Sequence, residues 1–505
     1  MKLLGFCLGL ACTLAAVPGR ADSLRVTILH TNDVHGWIMS RFAAFHAADP
    51  RRAVGGAAAV AAYSKTVKGP KLLLDAGDWF QGTPEGGLRD GRAMAEVFNA
   101  VGYDVLEVGN HDFDNGEGTL ESIIKDIRAP VLCANVYRGA GERAPECKPW
   151  IVKDVAGVKI GIFGLLTTSM KALQFADNIA GLAFRSPVEE AKEDVAALRA
   201  QGATVIIALS HLGLERPDGP PFDGDQTLAA QVDGIDLIVG GHSHTALPEG
   251  LRDATHGTII VQAGSELARV GEVSLEIDPA SKKVVKSSAR LVDLWPDAVG
   301  ADPAVAKIVA SLSSEVKTLF DVVVATAAQP LARARGESPL GDWMADCERQ
   351  WAHADLALIN GGGIRTDIPA GPVTRRQIYE IMPFNNRMVT LVMSGKAVKA
   401  LLDQAAGRPN SAQISGAKIS FHHTSVAGSR VAAVSVAGKP LADSATYRVA
   451  TIDFLAKGGD GYTAFDLAQS KDFSQTLVRD VLNRCAQKQG LLRTPSGGRL
   501  VLLGD

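Results

Sequence analysis

The chain has 505 residues, 46% of them hydrophobic and 21% charged, with a formal net charge of -3. This length favours two or three domains, and the composition excludes wholesale disorder and a coiled-coil rod. A near-neutral balance gives no bulk attraction for a nucleic acid polymer or an anionic membrane, so phosphate binding, if present, is a local device.

The N-terminus has the three parts of a secretory signal peptide: Met1-Lys2, the apolar run Leu3 to Val17, and a small residue at Ala21. Residues 1–21 are therefore expected to be cleaved, leaving a periplasmic or secreted chain with no stable membrane anchor. No later stretch reaches about 18 uninterrupted apolar residues, the length a spanning helix needs. Cys133, Cys147, Cys347 and Cys485 remain after cleavage. They are too few for a disulfide framework, although a local Cys133–Cys147 bridge suits an oxidising compartment. None lies in a CxxC pair, so thiol chemistry is not expected.

From residue 24 onward, short apolar runs alternate with helical stretches. Leu24 to Leu29, Lys71 to Leu74, Tyr103 to Val108, Val158 to Phe163, Thr204 to Leu209 and Ile235 to Val239 read as strands buried on both faces. Ala57 to Val67 and Pro187 to Gln201 read as helices ending near Gly69 and Gly202. The alternation predicts α/β layers, closed by a strand over Thr258 to Val261. Asp302 to Phe320 reads as a linking helix. Beyond it, Asp355 to Ile359, Met388 to Met393, Lys418 to Phe421, Arg430 to Val436 and Tyr447 to Ile452 predict a second, mixed sheet. The expected organisation is a first domain over 22–301, a linking helix over 302–320 and a second domain over 321–505.

The strands of the first domain end in metal-capable residues. Leu24–Leu29 leads to His30-Thr-Asn-Asp33-Val-His35, Lys71–Leu74 to Asp75-Ala-Gly-Asp78, and Val108 to Gly109-Asn110-His111-Asp112-Phe-Asp114. Thr204–Leu209 is followed by Ser210-His211, and Ile235–Val239 by Gly240-Gly241-His242-Ser-His244. In an open α/β sheet, ligand sites lie beyond the carboxyl ends of the strands, where such loops converge. Imidazole mixed with carboxylate favours Zn, Mn, Fe or Co over Mg or Ca, and a carboxylate such as Asp78 can bridge two ions. Five such strand ends in one region set this pattern apart from an isolated Asp-x-His, which is commonly a cap or a surface loop.

The motifs Asp33-x-His35, Gly77-Asp78, Gly109-Asn110-His111-x-x-Asp114, Ser210-His211 and Gly241-His242-x-His244 resemble those of the calcineurin-like metallophosphoesterases, and within them the 5′-nucleotidase family. Asn360-Gly-Gly-Gly-Ile-Arg365, Met382-Pro-Phe384 and Asp453-Phe454-x-x-x-Gly-Gly-Asp460-Gly-Tyr462 resemble that family's nucleotide-binding segments, so the likeness covers essentially the whole mature chain. The resemblance implies a four-layer α/β/β/α sandwich followed by a second mixed α/β domain. It implies two divalent ions (Mn, Zn or Co), one held by Asp33, His35, Asp78 and His244, the other by Asp78, Asn110, His211 and His242. His111 would be the catalytic histidine, oriented by Asp114, with Asp112 facing solvent. Phe384 and Phe454 would sandwich the base. Asn360 and Asp460 would contact base or ribose, and Arg365 ribose, carboxylate or phosphate, with Arg333 or Arg335 as a further contact. Lys457 stands where the family pattern has a small or amide side chain.

The implied reaction is hydrolysis of nucleoside 5′-monophosphates to nucleoside and phosphate. UDP-sugar hydrolysis and 2′,3′-cyclic phosphodiester hydrolysis are alternatives on the same site. A thiosulfohydrolase and a non-catalytic nucleotide-binding surface protein are more remote ones. A base held in the second domain must bring its phosphate to ions in the first, so domain closure about 302–320 is expected.

Overall fold

The computed structural model describes residues 24–504 apart from 44–47, 50, 140, 145–146, 216–221 and 409–411, so the expected signal peptide lies outside the described residues. Leu24–Thr31, Lys71–Ala76, Val105–Glu107 and Val131–Leu132 run parallel in one six-stranded sheet. Val158–Leu166, Val205–His211, Leu237–Gly240 and Ile259–Val261 do the same in a second. The sheets lie face to face, with Val26, Ile28, Leu72 and Leu74 sharing one apolar core with Ile160, Ile162, Ile207 and Val239. Helices Ala57–Thr66, Ala93–Val101 and Glu117–Asp126 cover the outer face of the first sheet. Pro187–Ala200 and Asp225–Gln231 cover that of the second. Helix on both outer faces explains why these strands are continuous Val/Ile/Leu runs rather than alternating ones. The result is the four-layer α/β/β/α sandwich.

Ile259–Val261 does not close this region. A hairpin of Arg269–Ile277 and Val284–Asp293 follows, and Arg269–Ile277 pairs antiparallel with Leu24–Thr31. One face of Arg269–Ile277 is buried and the other partly exposed, so its apolar residues alternate and give no continuous run to notice.

Helix Pro303–Phe320 is capped by Asp302, whose carboxylate accepts from the Ala304 and Val305 amides. Val305, Val309 and Leu312 sit one turn apart and join the core beneath Ala57–Thr66 and Ala93–Val101. The helix therefore packs as part of the first sandwich, and the chain crosses to the second mixed α/β region at Asp321–Val322. There Ala412–Ser415, Leu356–Asn360, Thr446–Ile452, Arg387–Ser394 and Ser470–Leu477 form a sheet in that spatial order. Helices Pro339–Trp351, Gly395–Ala406 and Val478–Gln489 share its core. No helix among the described residues is long and apolar enough to cross a membrane.

Cys133 is bridged to Cys147, as expected, and Cys347 to Cys485, which was not. The second bridge ties helix Pro339–Trp351 to helix Val478–Gln489 across 138 residues of sequence. Closing so long a loop removes many conformations from the unfolded chain, so Cys347→Ala combined with Cys485→Ala should cost about 2–4 kcal/mol. Denaturant unfolding of the double variant is expected to show a lower midpoint; an unchanged midpoint would contradict the assignment.

Candidate active site

Parallel neighbours that end in register deliver their loops to one edge. Thr31 lies opposite Asp75 in the first sheet, and Ser210 opposite Gly240 in the second. Asp33, His35, Asp78, Asn110 and His211 are buried at this edge. Asp33, His35, Asp78, His242 and His244 all have positive φ, between 48° and 67°. Left-handed backbone costs a non-glycine residue about 1–3 kcal/mol and persists where surrounding structure over-determines it, commonly at functional sites. Two glycines let the loops close on each other. A Cβ on Gly109 would strike the Asp78 carboxylate, and one on Gly241 would lie 2.6 Å from the Ala76 carbonyl oxygen.

Donor atoms gather on both sides of Asp78. His244 Nε2 lies 3.2 Å from Asp33 Oδ1 and 3.1 Å from His35 Nε2, which is 3.6 Å from Asp78 Oδ2. One ligand atom from each of Asp33, His35, Asp78 and His244 falls within 4.8 Å of the others. On its other side the same Asp78 Oδ2 faces His211 Nε2 at 3.2 Å, and the His211 ring stands 5.3 Å from that of His242. His211 Nε2 and Asn110 Oδ1 are buried with no hydrogen-bond partner. Further atoms of three of these side chains are tied down. Asp78 Oδ1 accepts from the His111 amide at 2.8 Å. His35 Nδ1 donates to the Gln81 carbonyl at 2.8 Å, and His211 Nδ1 to the Ala76 carbonyl at 2.6 Å. Such bonds fix the tautomer and leave each Nε2 lone pair aimed into the cluster. Two orphaned donor atoms, a shared carboxylate oxygen and a mixed imidazole–carboxylate set fit divalent transition metals.

Charge tells the same story. Burial raises the cost of the Asp33 and Asp78 carboxylates, but the surrounding histidines outweigh it, holding Asp33 at about 2 and Asp78 well below its usual range. Burial and the Arg365 guanidinium push His35 far down, and burial with the His211 charge brings His242 to about 3. His211 goes the other way: burial opposes its charge, yet Asp78 and Asp33 raise it to about 10. The two carboxylates thus favour positive charge at the position of His211.

His111 Nδ1 donates to Asp114 Oδ2 at 3.0 Å, which brings together the expected pair. Burial disfavours the imidazolium, but Asp114 and Asp78 prevail and raise its pKa above 6.5. Asp112 is not solvated. It is fully buried, its Oδ2 accepting from the Gly109 and Asp78 amides at 2.7 and 3.1 Å and its Oδ1 from the Trp79 amide at 2.9 Å. It staples the loop after Lys71–Ala76 to the loop after Val105–Glu107.

A cavity of about 220 Å³ separates this cluster from the second domain. Asp78, Asn110, His111, Asp114, His242 and His244 line one side, and Asn360, Arg365, Phe384, Phe454 and Asp460 the other. Asn360 Nδ2 donates to Asp460 Oδ2 at 2.7 Å, leaving the buried Asn360 Oδ1 without a partner. The Phe384 ring centroid is 5.5 Å from that of His111, and the Arg365 guanidinium is 5.7 Å from the centre of the Phe384 ring. Arg365 Nη2 reaches to within 3.1 Å of His35 Nε2. Arg333 and Arg335 do not line the cavity. Both are exposed; Arg333 hydrogen-bonds the Ile364 carbonyl and, after burial, is among the charges that lower the Arg365 pKa. Lys457 Nζ lies 5.2 Å from the centre of the Phe175 ring. Sequence reasoning missed Gln81, Gln174 and Phe175, which also line the cavity. Gln81 follows Asp78 by three residues and shares its loop; Gln174 and Phe175 belong to no motif.

Residues 26–246 match the calcineurin-like phosphoesterase model, and residues 323–467 that of the 5′-nucleotidase C-terminal domain. The chain is similar to protein UshA of Yersinia enterocolitica, 31% identical over 96% of each chain. It is also similar to the 5′-nucleotidase of Vibrio cholerae, 31% identical over 87% of this chain and 86% of that one. Its structure is similar to that of a 5′-nucleotidase precursor from Thermus thermophilus, with a TM-score of 0.87 and 30% identity over 95% of this chain and 100% of the other. The protein therefore belongs to the 5′-nucleotidase family of calcineurin-like phosphoesterases, metal-dependent hydrolases of phosphoric esters.

Proposed function

We propose that this protein is an exported enzyme that hydrolyses nucleoside 5′-monophosphates to nucleoside and phosphate. The observation that carries the reading is one cavity walled by the metal-capable cluster on one side and by Phe384, Phe454, Asn360 and Asp460 on the other. Asp33, His35, Asp78 and His244 would hold one divalent ion, and Asp78, Asn110, His211 and His242 a second, with Mn, Zn or Co suited to these donors. When bound, such ions lower the pKa of water toward about 7 and neutralise phosphoryl oxygens.

The chain's own residues do the rest. Phe384 and Phe454 offer aromatic faces to a base, which every base can stack on. The free acceptor Asn360 Oδ1 and the Asp460 carboxylate face the same space and bind the nucleoside's donors. Arg365 brings its positive charge to the cluster edge, where a phosphate bridging the two walls would lie. His111, held by Asp114, donates to a phosphoryl oxygen as negative charge builds in the transition state. The signal-peptide pattern of residues 1–21 supports export.

Phosphate release by the Mn-reconstituted protein from AMP, UMP, ATP, UDP-glucose, 2′,3′-cyclic AMP and a bare aryl phosphate tests the reading. The monophosphates should be fastest; a clear preference for UDP-glucose or the cyclic ester would replace the proposed substrate with that one. Asp78→Ala removes the shared ligand and should leave less than one ion per chain by elemental analysis, with activity nearly abolished. Retention of two ions would contradict the ligand sets. Phe454→Ala should raise KM for nucleotides with little effect on the aryl phosphate; equal losses on both would refute stacking. Because Asp114 raises the His111 pKa, Asp114→Asn should move the alkaline limb of the kcat–pH profile to lower pH. An unmoved limb would mean that His111 is not the titrating donor.

A further inference from the structure

The short helix Met170–Leu173 ends in Gln174, a residue that is only 6% exposed although it lines the cavity. Its Nε2 donates to Asp114 Oδ1 at 2.5 Å and to the Asn110 carbonyl oxygen at 2.7 Å. Both partners are acceptors, so the amide can face them only with its NH2 group, and its two protons are both used. Asp114 is thus held from two directions: Gln174 donates to Oδ1, while His111 Nδ1 lies 3.0 Å from Oδ2 and 3.2 Å from Oδ1. Four residues further on, Asn178 Nδ2 donates to the Asp114 carbonyl oxygen at 2.8 Å. The segment carrying these amides is itself braced from the second domain. The Phe175 ring meets the Phe454 ring edge-on at 5.9 Å, and Lys457 Nζ stands 5.2 Å from the Phe175 ring centre.

We propose that Gln174 is a positioning residue for the hydrolysis: it fixes the Asp114 carboxylate so that His111 presents its Nε2 edge to the phosphoryl group. The proposal rests on the reading of His111 and Asp114 as the working pair. It does not rest on the identity of the nucleotide. A free Asp114 carboxylate could rotate about its χ2 torsion and let the imidazole swing with it. With Oδ1 anchored by a buried amide, the carboxylate plane is set before substrate arrives, so the transition state does not have to order it. The second bond, to the Asn110 carbonyl, holds Gln174 to the turn that carries His111.

A double-mutant cycle separates this role from a merely structural one. Gln174→Met keeps the length of the side chain and removes both donors; Gln174→Asn keeps an amide too short to reach, and serves if the first variant folds poorly. Both are compared with Asp114→Asn and with the double variant Gln174→Met/Asp114→Asn. kcat and KM are measured on the Mn-loaded protein with a bare aryl phosphate and with AMP, alongside the metal content. The expected result is a fall in kcat of about 10–100-fold for either Gln174 variant, the range typical of lost orienting bonds. KM and the number of bound ions should be unchanged. The double variant should be no slower than Asp114→Asn alone, because Gln174 acts only through Asp114. Multiplying effects, a loss confined to KM, or a lost ion whose excess restores kcat would each overturn the proposal. The aryl phosphate makes no use of the base-binding wall, so a protein that prefers another ester would still report the Gln174–Asp114 coupling.

Discussion

One carboxylate oxygen, Asp78 Oδ2, stands between His35 Nε2 and His211 Nε2, and the architecture of the first domain converges on it. Asp78 and Asp33 are both buried, and their charges raise the pKa of the neighbouring His211 to about 10 against the effect of burial. Ionised groups are buried only when paired or when they coordinate a metal. The loops pay in backbone strain to bring them here, with five of the seven candidate ligands in left-handed conformation. Strand register delivers these strained residues and buried charges to one place.

The second domain is meaningful because of where it sits. It meets the first through a partly buried ion pair, Arg376 Nη1 with Glu85 Oε2 at 2.6 Å, and through Gln81 Nε2, which donates to the Pro383 carbonyl at 3.0 Å. The second contact adjoins Phe384, the next residue after Pro383, and Gln81 also receives the His35 bond through its backbone. The loop that orients a metal-capable histidine therefore also seats an aromatic wall from the other domain. Across the cavity, the charged cluster of the first domain faces a wall that carries two aromatic rings, the combination a phosphorylated aromatic ligand requires.

Much of this was legible in the sequence because the signals are local. An apolar run followed at once by Asp-x-His or Gly-Gly-His-x-His reads as a buried strand delivering ligands, and each of those loops reached the same edge. Other features were hidden for identifiable reasons. In the hairpin, Arg269–Ile277 alternates apolar with polar residues and Val284–Asp293 is broken by Lys286, Ser287 and Ser288, so neither forms a run. The Cys347–Cys485 bridge spans 138 residues, and spacing alone cannot pair them. Asp112 looked like a solvated acid in a polar turn, yet it gathers three backbone amides from two loops, which only tertiary structure brings together. Gln174 is 60 residues from Asp114 and carries no motif at all.

A crystal structure of the metal-loaded protein with a non-hydrolysable phosphonate analogue of AMP tests the central claim most directly. Two ions sharing Asp78, the phosphonate beside them and His111, and the base between Phe384 and Phe454 are the predicted result. A single ion without Asp78 as a shared ligand, or a base bound away from both rings, would contradict it.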